Sequence, residues 1–225
     1  MPINFFQTLN AVLTQGISNI CNVYRISEAD AVERARHYLA ENTAQYYSDS
    51  THLQYDDPLC RIAYLYAYVG AHANLTDNAF YKFPDLRQFV MDQIHSSGEL
   101  HVCSFGGGPG SELLGFVKFI QRECNEDNTV DLHFTLIDRI PEWDETWQAL
   151  VNGLQETFKS TYGPSRRYWP IVVHRSFLPL NLARVQDFQS FPSRFNEVQL
   201  YVLNHTVSEL LSSRNEFREV FNDIV

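Results

Sequence analysis

The chain has 225 residues and a formal net charge of −10, from 17 Lys+Arg against 27 Asp+Glu. Hydrophobic residues make up 44% and charged residues 20%, which is enough apolar material to bury a sizeable core and excludes a disordered chain. Six basic residues stand against ten acidic ones before Glu99, and eleven against seventeen from there on, so neither part carries a basic region dedicated to nucleic acid.

The first hundred residues read as helical. The opening stretch, Met1 to Ile20, mixes apolar and polar residues without a basic leader, so it reads as a helix and not as a signal peptide. Ser27 with Asp30 three positions on resembles a capping box. The segment behind it is rich in Ala, Glu and Arg and predicts a helix over Ala29–Tyr47. Pro58 suits a first helical turn and predicts a helix over Leu59–Ala73. That helix is apolar or aromatic on most sides and is expected to be buried. Pro84 introduces another, Leu86–His95, which Ser96-Ser97-Gly98 ends. This helical region, residues 1–97, is expected to serve as a lid, or as a platform for substrate or partner.

After Gly98 the rhythm changes. Leu100–Phe105 predicts a strand, Gly106–Gly110 a turn, and Ser111–Arg122 a helix, with Leu113, Phe116, Val117 and Ile120 at helical spacing. Glu123–Asp131 reads as a polar loop and Leu132–Ile137 as a second strand. Trp143–Tyr162 reads as a long helix closed by Gly163-Pro164. Tyr168–His174 and Val198–Leu203 follow as strands, with a further helix from about Ser208. Strands alternating with helices predict an α/β domain over residues 98–225: a doubly wound, mostly parallel sheet with helices on both faces. Cys21, Cys60, Cys103 and Cys124 form no Cys-x-x-Cys pair. The expectation is a reduced, intracellular protein, cytoplasmic or nuclear, and not a disulfide scaffold or zinc module. No apolar run approaches the roughly 18 residues of a membrane span.

The sharpest signal is Val102-Cys103-Ser104-Phe105-Gly106-Gly107-Gly108-Pro109-Gly110-Ser111-Glu112. Between a strand and a helix, glycines permit backbone torsions that side chains forbid and let a ligand approach the main chain. A phosphate loop needs a lysine after the glycines, and none follows. The Gly-x-Gly-x-x-Gly of a dinucleotide fold is met poorly by Gly106, Gly108 and Ser111. A third ligand, S-adenosylmethionine, rests its amino acid and ribose on such a turn without any phosphate.

The same residues resemble the class I, Rossmann-like S-adenosylmethionine-dependent methyltransferases. Ser104 to Gly110 is similar to that superfamily's first motif, roughly acid-x-Gly-x-Gly-x-Gly. Phe134-Thr135-Leu136-Ile137-Asp138 is similar to the second, an acid ending a strand. Leu200 to Leu210 looks like the fourth. The resemblance covers about residues 99–215. It departs from the pattern at Ser104, where the family has an acid. Asp138 also lies 28 residues after Gly110, against about 20 for a ribose-binding acid in a dinucleotide unit. The family's sheet has seven strands and only four are placed here, so the α/β domain is expected to be incomplete or abbreviated at its C-terminus.

The resemblance implies S-adenosylmethionine as cofactor, no metal, and a methyl acceptor that is a small molecule, a protein or RNA. It implies that Gly106, Gly107, Gly108 and Gly110 line the cofactor. Asp138 would accept from the ribose hydroxyls, and Glu112 would hold the ammonium or simply favour its helix N-terminus. Ser176 and Phe177, following the third strand, would touch the adenine. Asn204 and His205 would lie near the transferable methyl, His205 as a proton acceptor. Tyr64, Tyr66 and Tyr68 with Arg61 would close over the cofactor, bind substrate, or pack in the core. The residues leave two functions open: a methyltransferase, or a catalytically silent methyltransferase-like scaffold or interaction protein, with or without cofactor binding. The serine in place of the first acid and the absence of an acid after the third strand favour the scaffold; fold resemblance does not by itself establish activity.

Overall fold

The structure, a computed structural model, describes residues 3–46, 54–124, 129–189, 195–204, 218 and 220. Helix α1 (Phe5–Tyr24) starts at Asn4, whose side chain accepts the Phe6 N–H at 3.0 Å. Helix α2 (Glu28–Tyr46) starts at Ser27, whose hydroxyl accepts the Asp30 N–H at 3.1 Å, as the capping pattern predicts. Helix α3 (Pro58–Tyr64) passes through one π-helical segment, Leu65–Val69, into α4 (Gly70–Lys82). The sequence places the end at Ala73. The helix continues because Ala73, Thr76 and Phe80 are buried, and tertiary packing overrides the weak propensity of the Asn74 and Thr76 stretch. Helix α5 (Pro84–Ser97) closes on Gly98 at φ 76°.

Then the alternation begins: β1 (Glu99–Phe105), α6 (Ser111–Glu123), β2 (Val130–Ile137), α7 (Trp143–Tyr162), a 3-10 turn at Arg166–Tyr168, β3 (Ile171–Leu178), α8 (Val185–Gln189) and β4 (Leu200–Val202). The four strands are all parallel, in the order β3-β2-β1-β4. This is the α/β architecture that the sequence predicts. The third strand lies later than predicted. Pro170 has no N–H to offer a ladder, so pairing starts at Ile171. It then runs through the polar His174-Arg175-Ser176, which pair with His133, Phe134 and Thr135. The predicted helix from Ser208 lies outside the described residues.

Each strand alternates. Leu100, Val102, Leu132, Phe134, Leu136, Ile171 and Val173 face one side and join a core cluster shared with α1 to α7. Cys103, Phe105, Ile137 and Leu178 belong to a second cluster with Leu180, Leu182, Phe188 and Phe195. The N-terminal helices are bound into the first cluster. Thr8 and Thr157 hydroxyls meet at 2.8 Å between α1 and α7. Arg61, 5% exposed, donates to Thr146 and Glu145 on α7 and to the carbonyls of Tyr55 and Asp56. Among the described residues, no helix is long and apolar enough to cross a membrane.

Helices α4 and α6 touch through Gly115. A Cβ there would sit 2.6 Å from the Ala73 carbonyl oxygen and 2.6 Å from Thr76 Cβ. Alanine in a helix interior is ordinarily favoured over glycine by about 1 kcal/mol, but separating two packed backbones costs about 1–3 kcal/mol. Gly115→Ala is therefore expected to lower the urea midpoint with an unchanged slope, measured by equilibrium unfolding.

Candidate functional site

In an open parallel sheet, ligands gather beyond the carboxyl ends of the strands, where the strand order reverses. Here that point lies between β1 and β4, flanked by β2. Three segments leave the sheet there: the turn Gly106 to Gly110 after β1, Asp138 after β2, and Asn204 after β4.

The turn needs its glycines for two reasons. Gly106, Gly108 and Gly110 have φ of 61°, 50° and 78°, the left-handed region that side chains resist. The turn also lies hard against the protein beneath it. A Cβ on Gly107 would fall 2.8 Å from Ser104 Oγ, and one on Gly110 would fall 2.3 Å from two ring carbons of Trp147. On Gly108 it would meet the Trp143 indole at an ordinary 3.7 Å. The Cβ sides of these three glycines thus face the protein's own side chains. A ligand has to approach the turn from its other side.

Asp138 is turned toward this loop. Its Oδ2 accepts the Gly108 N–H and its Oδ1 the Ile140 N–H, both at 3.0 Å. Its own N–H donates to the Leu178 carbonyl at 3.3 Å, while the Gly106 N–H donates to the Ile137 carbonyl at 2.7 Å. Asp138 is 9% exposed.

Glu112 lies in the first turn of α6 and is 2% exposed. Burial pushes its carboxyl up from an ordinary 4.5 to about 7. Its own backbone N–H and hydrogen bonds with Asn204 and Ser111 oppose the rise, and the charge of Asp138 adds to it. Among the described residues, four buried side-chain polar atoms lack a hydrogen-bond partner: Ser104 Oγ, Glu112 Oε2, Trp147 Nε1 and Gln121 Oε1. The first three belong to residues in or against the glycine turn. Buried polar atoms are nearly always paired, so each of these calls for a polar ligand or ordered water. Ser104 and Trp147 lie on the protein side of the turn; the Glu112 oxygen is the one that an ammonium group on a ligand would suit.

The N-terminal helices reach the same place. Asn204, half-buried, donates to Thr76 Oγ1 on α4 at 2.9 Å. Tyr64, at the start of the π segment, has ring centroids 4.9 Å from Tyr68 and 5.5 Å from Trp143; Tyr55 lies 5.0 Å from Trp143. This aromatic group stands beside Gly108 through Trp143. Tyr66 points away and is 71% exposed, and Arg61 is spent on joining α3 to α7.

Other sequence-predicted residues are not brought in. Ser176 and Phe177 do not follow the third strand; they lie within it, opposite Thr135 and Leu136, and Phe177 packs against the main core. The early end assigned to that strand misplaced them. His205 lies outside the described residues. Sequence reasoning missed Thr76, Trp143 and Trp147. The two tryptophans four residues apart at the start of α7 were the available signal, since that spacing puts both on one helix face.

Residues 30–214 match the family described as "Putative SAM-dependent methyltransferase", and the chain belongs to that family. The class I resemblance and the Rossmann-like fold agree with this, and the cofactor that the family implies is S-adenosylmethionine. No curated protein and no solved structure matches the chain.

Glu112 gives a pH signature in the ligand-free protein. Its folded value is raised, so between pH 4.5 and about 7 the folded state holds more protons than the unfolded chain. Stability from this group falls as pH rises through that window. Relative to Glu112→Gln, the wild type is expected to lose up to about 3 kcal/mol between its acid and neutral limits. Denaturant unfolding of both proteins across that range measures it.

Proposed function

We propose that this chain transfers a methyl group from S-adenosylmethionine to an acceptor, with the cofactor held above the turn at Gly106 to Gly110. The observation that carries this reading is the convergence of Asp138 and the buried, unpartnered Glu112 oxygen on a glycine turn at the point where strand order reverses. The main chain of Gly106, Gly107, Gly108 and Gly110 underlies the cofactor. Asp138 accepts from its ribose hydroxyls, since an ionised carboxylate offers about four acceptor positions. Glu112, once ionised, pairs with its ammonium. Asn204 stands where the acceptor comes in, and His205, the next residue in the sequence, takes a proton if the acceptor has one to lose. Ser176 and Phe177 form no part of this proposal.

S-adenosylmethionine supplies a methyl group already activated by its sulfonium. What remains for the chain is to bind, align and keep water out. The aromatic group of Tyr55, Tyr64, Tyr68 and Trp143 is suited to that shielding, because it borders the turn from the N-terminal helices. The acceptor is a small molecule, a protein side chain or RNA. With a net charge of −10, a polyanion would need a neutralising partner to be held tightly.

A second reading, a silent scaffold that keeps the fold and cofactor binding, draws support from Ser104. It stands where the superfamily has an acid, and its hydroxyl is buried without a partner. Calorimetric titration with S-adenosylmethionine separates these ideas. Wild type is expected to bind, and Asp138→Ala to bind at least about tenfold more weakly, the loss of a charge-assisted pair of hydrogen bonds. Absence of binding by folded wild type would overturn both readings. Binding without methyl transfer to any pool of small molecules, proteins or RNA would leave the scaffold.

A further inference from the structure

At the other end of the strands, one face of the sheet carries a row of histidines. Alternation along β1, β2 and β3 sends Glu99, His101, Asp131, His133 and His174 to the face opposite the one that Phe134 and Leu100 share with α6 and α7. Parallel register sets His101 beside His133 and His133 beside His174. The rings stack, with centroids 4.2 Å and 4.4 Å apart and planes within 9° and 12°. The Glu99 carboxylate stands 3.5 Å from His101 Nε2, and Asp131 Oδ1 stands 2.7 Å from His174 Nε2.

This row is a poor device for holding strands together. Sheets ordinarily use β-branched and aromatic side chains at such positions. Imidazoles side by side repel once protonated. No ring nitrogen of His133 has a hydrogen-bond partner among the described residues. One donor atom from each of Glu99, His101 and His133 lies within 4.8 Å of the other two. The group is reachable from solvent: the Glu99 side chain is 53% exposed and that of His101 21%.

We propose that Glu99, His101 and His133 form a binding site for a divalent transition-metal ion of the zinc type, separate from the cofactor site. Two imidazole nitrogens and one carboxylate oxygen suit a borderline ion such as Zn²⁺. They do not suit Mg²⁺ or Ca²⁺, which prefer oxygen shells. Ligand bonds of about 2.0–2.2 Å put neighbouring donors of a tetrahedral shell roughly 3.3 Å apart. The donors here, within 4.8 Å of one another, therefore draw together by up to roughly 1.5 Å, and the two stacked rings tilt toward a common point as they do so. Glu99, on the exposed rim, has the freedom to follow. Asp131 holds His174 at the flank of the site. Three protein ligands leave the fourth position to water or to another donor. An ion there clips β1 to β2 at the end of the strands away from the glycine turn and adds to folded-state stability by mass action.

The test is calorimetric titration of the full chain with ZnCl₂ at neutral pH, alongside thermal unfolding with and without the ion. Wild type is expected to bind one ion and to unfold at higher temperature with it. The double variant His101→Asn, His133→Asn is expected to bind well over about tenfold more weakly and to lose the thermal shift. Glu99→Gln, a change on an exposed side chain, is expected to weaken binding while leaving the fold intact. S-adenosylmethionine titrated into the double variant reports on the other site and keeps the two proposals distinguishable. Absence of zinc binding by wild type overturns the inference. So does undiminished binding by the folded double variant, which would place the ion on the cysteines or elsewhere.

Discussion

The structure depends on three parallel strands ending level with one another. Phe105 pairs with Ile137, and Ile137 with Leu178, so the chain leaves β1, β2 and β3 at one height. Main-chain bonds then stitch the exits together: Gly106 to Ile137, and Asp138 to Leu178. The Asp138 carboxylate completes the seam by taking the Gly108 N–H. The turn is held from the side by an ionisable group and from below by two indoles. A one-residue slip between β1 and β2 would reverse every side chain on a strand and move the carboxylate away from the turn. The site is therefore a property of sheet register before it is a property of any single residue.

The N-terminal helices are tied to the same seam. Thr76 on α4 reaches Asn204 beyond β4, Gly115 lets α4 lie against α6, and Arg61 fastens α3 to α7. The π segment at Leu65–Val69 falls between the helical stretches that carry Tyr64 and His72. Such segments widen a helix by one residue and are frequent at functional sites. Here the segment lies where the helix presents Tyr64 to Trp143, with Tyr68 packed on Tyr64. Any movement of these helices would be felt at the end of β4 through one hydrogen bond and at the turn through one indole.

Much of this was legible in the sequence, and the reasons are physical. Capping at Ser27, the prolines at 58 and 84 and the Gly163 stop are local chemistry, and local chemistry survives folding. The glycine turn and Asp138 were legible because a backbone with positive φ restricts residue type, as does an acid that ends an apolar run. The third strand was misplaced because its polar half, His174-Arg175-Ser176, looks like an exit until the partner strand is known. Trp143 and Trp147 looked like ordinary helix core, since nothing in one sequence shows that a glycine lies above them. The histidine row was hidden for the same reason. Its members are far apart in the chain, and only parallel pairing brings them side by side.

Glu112 shows what such a site costs the unliganded protein. A carboxylate at the start of a helix normally gains from the helix dipole. Here desolvation outweighs that gain and the group stays partly protonated near neutrality. Leucine or methionine, of similar volume, would fill the space without that penalty, so packing alone gives no reason for an acid. The proposed binding of an ammonium group would supply a reason. A cationic group beside Glu112 favours the ionised form, so binding and ionisation reinforce each other by linkage. Energy lost by the empty protein is then recovered only when the right charge arrives. A neutral or anionic ligand on the same turn gains nothing from it. Under the proposed function, this asymmetry would favour a cation-bearing nucleoside over the nucleotides that the same fold often binds.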